Sequence, residues 1–68
     1  MRPTWTLLAT APTLDDITAS VARFYCGEGK ELRPDGEGWR IYGARGEIPA
    51  MRVVCKRGRY RFEMGRDV

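Results

Sequence analysis

The segment Met51-Arg52-Val53-Val54-Cys55-Lys56-Arg57-Gly58-Arg59-Tyr60-Arg61-Phe62-Glu63-Met64 suits one hairpin register and penalises its neighbours. Centred on a two-residue turn at Arg57-Gly58, it sets Lys56 opposite Arg59, Cys55 opposite Tyr60, Val53 opposite Phe62 and Met51 opposite Met64. Side chains alternate across a strand, so the last three pairs share one face. The other face takes Arg52, Lys56, Arg59 and Arg61, with Val54 and Glu63 between them. A slip of one residue would carry cations into the apolar face, and that cost selects the register.

Upstream residues extend the same scheme. Lys30–Pro34, Trp39–Gly43 and Ile48–Lys56 read as strands, separated by turns at Asp35-Gly36-Glu37-Gly38 and Ala44-Arg45-Gly46-Glu47. A four-residue loop pairs Pro34 with Trp39 and Leu32 with Ile41. A three-residue loop at Arg45-Gly46-Glu47 pairs Ile41 with Met51 and Trp39 with Val53. Each pairing sets apolar against apolar, and such agreement between local choices is a mark of a foldable sequence.

The N-terminal part supplies one more strand and a helix. Thr4–Thr10 alternates and carries β-branched and aromatic residues, with Trp5, Leu7 and Ala9 expected to face inward. Ala11-Pro12 ends it, because proline cannot extend a ladder. Thr13 then fits a helix N-cap, with Asp16 at the third helical position. Asp15 and Asp16 suit the positive end of the helix dipole. Leu14, Ile17, Val21, Phe24 and Tyr25 form one stripe opposite Asp16, Ser20 and Arg23, and Gly27 and Gly29 stop the helix near Cys26.

The expectation is an α+β fold, β-α-β-β-β-β, spanning residues 1–68 as a single small domain. One amphipathic helix covers one face of a four- to five-stranded, mainly antiparallel sheet. The inner face is expected to hold Leu32, Trp39, Ile41, Met51, Val53, Cys55, Tyr60 and Phe62. The first strand pairs antiparallel beside either the last strand or the second. Met1–Pro3 and Gly65–Val68 read as loose ends.

Composition narrows the chemistry. The chain contains no histidine, which removes Ser-His and Cys-His pairs within one chain. Asp15 and Asp16 point about 100° apart on a helix, a poor geometry for a shared acid–base site. Cys26 and Cys55 read as small core thiols rather than a disulfide or metal framework. Gly27-Glu28-Gly29 follows a helix instead of preceding one, so it terminates the helix and cradles no phosphate. No apolar run is long enough for a membrane span, and a cytoplasmic, non-enzymatic protein without cofactor, metal or small-molecule substrate is expected.

A partner is suggested by charge placement. The formal net charge is +3, and the outer sheet face carries Arg33, Arg40, Arg52, Lys56, Arg59 and Arg61 against Glu31 and Glu63. Cations on alternate residues recur about every 6.8 Å along a strand, a spacing suited to a polyanion backbone. Arg40 opposite Arg52 and Lys56 opposite Arg59 are unfavourable like-charge pairs unless an anion joins them. Tyr42 is the one aromatic on that face and can stack on a base. Nucleic acid held through phosphate contacts by Arg33, Arg40, Tyr42, Arg52, Lys56, Arg57, Arg59 and Arg61 is therefore the first expectation. The alternative is a small regulator or inhibitor that binds an acidic protein surface, or a homodimer, with Tyr42 and Val54 at the centre of a cationic rim.

Overall fold

The strands and helix occur in the expected order in a computed structural model that describes residues 3–27 and 30–67. They are β1 (Pro3–Ala11), α1 (Leu14–Phe24), β2 (Glu31–Asp35), β3 (Gly38–Gly43), β4 (Gly46–Lys56) and β5 (Arg59–Asp67). The sheet runs β1-β5-β4-β3-β2 with every neighbour antiparallel, so the first strand lies beside the last. Among the described residues, no helix is long and apolar enough to cross a membrane.

The β4–β5 hairpin has the register its sequence requires, from Met51 opposite Met64 to Lys56 opposite Arg59. Its turn places Arg57 at φ 52° and Gly58 at φ 77°, the two left-handed positions of a type I′ connection. In β2–β3, Pro34 pairs with Trp39 and Leu32 with Ile41 as expected. One further rung, Asp35 with Gly38, shortens the expected four-residue loop to Gly36-Glu37, with Gly36 at φ 63°.

Two expectations for β3–β4 and β1 need correction. Trp39 pairs with Val53 and Arg40 with Arg52, but the ladder then breaks and resumes with Tyr42 opposite Glu47 and Gly43 opposite Gly46. The connection is therefore Ala44-Arg45, not Arg45-Gly46-Glu47, and the rung expected between Ile41 and Met51 falls at the break. Pro49 has no N–H to give a ladder, and its neighbour Ala50 sits at φ 60°, so β4 bulges there. In β1, Leu7 faces Glu63 while Ala9 faces Phe62, which leaves Leu8 as an extra residue. A one-residue bulge exchanges the faces on either side of it. Ala9 and Ala11 consequently join the inner face, whereas Trp5 and Leu7, expected inside, share the outer face with Gly65 and Glu63. The loose ends are also shorter than expected: Pro3 and Gly65–Asp67 continue the β1–β5 ladder. Met1, Arg2, Glu28, Gly29 and Val68 lie outside the described residues.

The helix begins as its cap predicts, with the Asp16 N–H donating to Thr13 Oγ1 at 3.1 Å. It ends in a Schellman arrangement: the Cys26 N–H donates to the Arg23 carbonyl at 3.0 Å and the Gly27 N–H to that of Ala22 at 2.8 Å. The left-handed residue that glycine usually provides is Cys26, at φ 58°. Cys26 is accordingly exposed rather than buried, and so is Cys55, which lies near the hairpin end beyond the core. Ile17 and Val21 of α1 seal against Ala11, Ile41, Met51, Val53 and Phe62. Each large side chain removed from water there contributes about 1.5–3 kcal/mol. Phe24, at the end of the helical stripe, remains 49% exposed and meets Phe62 edge-on at 5.4 Å.

Candidate anion-binding surface

The outer sheet face carries a row of side chains from one edge to the other: Leu7, Glu63, Arg52, Arg40 and Arg33. Three arginines stand side by side in this row, as the register predicted. Each is met by a carboxylate. Arg33 Nη2 lies 3.1 Å from Glu31, and Arg40 Nε lies 3.1 Å from Asp35. Arg52 donates to Glu63 Oε1 at 2.9 Å, while Arg61 donates to Glu63 Oε2 at 3.0 Å.

Glu63 organises this part of the face. It is only 4% exposed although, among the described residues, no second helix or sheet is present to cover the outer face. Trp5 provides part of the reason, because the Arg52 guanidinium sits 3.7 Å from the centre of its ring. A Cβ on Gly65 would lie 3.1 Å from the indole, so the absent side chain is what lets Trp5 rest against β5. Burial pushes the Glu63 carboxyl upward, but its hydrogen bonds and charge interactions with Arg61 and Arg52 outweigh that and hold it below the usual glutamate range. Arg52 is thus engaged by both an aromatic ring and a carboxylate, which suits a structural role.

Tyr42 is similarly occupied. The Arg33 guanidinium lies 4.2 Å from its ring centre, and its hydroxyl donates to Glu47 at 3.2 Å. One face of the ring is covered, which narrows the room for a stacked base.

The hairpin end differs. Lys56, Arg57 and Arg59 are exposed, and none of the ion pairs among the described residues involves them. With Thr10 and Arg61 they line a shallow concavity at the end of the sheet. Arg59 Nη2 reaches Thr10 Oγ1 at 3.5 Å, a weak contact that leaves most of its donors open. Lys56 and Arg59 face one another across the ladder, with Arg57 at the turn between them. Three neighbouring cations with no ion-pair partner among the described residues have donors of the kind that suit an oxyanion.

Of the expected site, the structure brings Lys56, Arg57, Arg59 and Arg61 together and ties Arg33, Arg40, Arg52 and Tyr42 into local contacts. Thr10 was not anticipated, and no local pattern marks it, since only the β1–β5 pairing carries it there. The pairing of Arg33 with Glu31 and of Arg61 with Glu63 has a visible signal: residues two apart on a strand share a face. Among the described residues, no three His, Cys, Asp or Glu side chains gather as a metal site. No family model, curated protein or solved structure matches the chain.

Proposed function

We propose that this protein is a non-enzymatic nucleic-acid-binding module that grips phosphates with the end of its β4–β5 hairpin. The observation that carries the reading is the exposed trio Lys56, Arg57 and Arg59, which joins no ion pair among the described residues while Arg33, Arg40, Arg52 and Arg61 of the remaining face are paired. The backbone at Arg57 supports it. The first central position of a type I′ turn favours Asn, Asp or Gly, and a side chain such as arginine is strained there by about 1 kcal/mol. Strain retained in an exposed cation has a reason if the cation has a task. A reducing cytoplasm, in which Cys26 and Cys55 stay as thiols, is the setting this reading assumes.

Fluorescence anisotropy with generic single- and double-stranded oligonucleotides tests the proposal. Three neutralised phosphates on a duplex give a log–log salt slope of about −2.7, or about a 40-fold loss of affinity between 50 and 200 mM salt. Absence of binding at 50 mM salt, or binding indifferent to salt, would remove it.

A second reading is favoured by Leu7, which is 44% exposed on the outer face beside the Arg52–Glu63–Arg61 cluster. An apolar contact rimmed by arginines suits an acidic protein surface or a second copy of the chain. Light scattering over a concentration series tests the second copy; a monomer throughout eliminates it.

A further inference from the structure

The hairpin end lies beyond the last rungs that its two neighbouring strands share with it. β3 accompanies β4 only as far as Val54, and β1 accompanies β5 only from Tyr60 onward. Cys55, Lys56, Arg57, Gly58 and Arg59 extend beyond those points as a two-stranded ribbon, and all five are exposed. Lys56 and Arg59 form the one rung beyond both neighbouring ladders, and the Arg57-Gly58 turn extends past it. The major groove of B-form DNA is about 12 Å wide and 8.5 Å deep and admits a two-stranded ribbon, whereas the minor groove is about 6 Å wide.

We infer that the ligand is B-form duplex DNA and that this ribbon enters its major groove. The inference rests on the nucleic-acid reading above and names the substrate of that same surface. Arg57 is at the leading end, where a guanidinium reaches the guanine O6 and N7 acceptors. Lys56 and Arg59 lie together on one face of the ribbon, behind the tip, and take phosphates along one wall of the groove. The opposite face of the ribbon carries the uncharged, exposed Cys55. The ribbon therefore has a preferred side toward a backbone. The major groove of A-form RNA is deep and narrow, so an RNA duplex excludes the ribbon.

The test compares one duplex sequence in three forms at 100 mM salt: unmodified DNA, DNA whose cytosines carry glucosylated hydroxymethyl groups that fill the major groove, and RNA. Unmodified DNA is expected to bind at least about tenfold more tightly than either of the others, the scale of one bidentate base contact. Arg57→Asn, which suits the turn, is expected to reduce that ratio to within about threefold, with weakened, salt-dependent binding retained through Lys56 and Arg59. Equal affinity for all three duplexes overturns the groove inference but leaves phosphate binding intact. Failure to bind any of them at 50 mM salt overturns the nucleic-acid reading itself.

Discussion

Arg52 sits 3.7 Å from the centre of the Trp5 ring while its guanidinium holds Glu63 at 2.9 Å. Trp5 reaches this position because Leu8 is a bulge and because Gly65 has no side chain beneath the indole. The outer sheet face consequently has a small organised cluster of its own. Its arginines are engaged within the face, whereas Lys56, Arg57 and Arg59 at the hairpin end take part in none of the ion pairs among the described residues.

Trp5→Ala removes the ring that covers Arg52 and is expected to cost about 1–2 kcal/mol, below a fully buried Trp→Ala because the site is half open. Gly65→Val is expected to destabilise by a similar amount, since its branches would displace the indole. Urea unfolding of both variants checks this. A double variant no worse than either single one shows that they act through the same contact.

Glu63 makes the fold sensitive to acid. Its carboxyl lies lower in the folded protein than in the unfolded chain. Its contribution is therefore complete above the ordinary glutamate range and is lost as pH falls through the lower folded value. Glu63→Gln is expected to lower stability at pH 7 by about 2 kcal/mol, because two partly buried arginines lose their counter-charge. The variant should also lose less stability than the parent protein between pH 5 and pH 3 in thermal melts followed by circular dichroism.

Cys26 occupies a left-handed position with a Cβ, at φ 58°. Cys26→Gly is expected to stabilise the protein by about 0.5–1 kcal/mol, the relief of backbone strain less the greater freedom of the unfolded chain. Arg57→Asn should stabilise by a similar amount while weakening polyanion binding. Stabilisation at Arg57 without loss of binding would separate the turn from the site.

Regular periodicity made most of the architecture legible in the sequence. The 3.6-residue stripe of α1 and the alternation in β4 and β5 specified the helix, its N-cap and the hairpin register. Trp5 and Leu7 were not legible, because apolar residues at alternate positions read as inward whichever face they occupy. Their direction depends on the unpaired Leu8 and on the space above Gly65, both consequences of pairing with β5. Cys26 was misplaced because its neighbour Gly27 is the residue type that stops a helix, yet the left-handed step begins one residue earlier. At the site, alternation sent the cations outward correctly. Their carboxylate partners depended on contacts along and between strands, such as Asp35 meeting Arg40 across the β2–β3 end.

The most direct test sets the free cations against the paired ones in a single anisotropy series on duplex DNA. Lys56→Ala/Arg59→Ala is expected to weaken binding at least about tenfold and to reduce the salt slope by about 2. Glu31→Gln/Arg33→Gln removes an ion pair without changing net charge, and is expected to leave affinity within about threefold. The opposite ranking, or equal losses in the two variants, would contradict a phosphate grip located at the hairpin end.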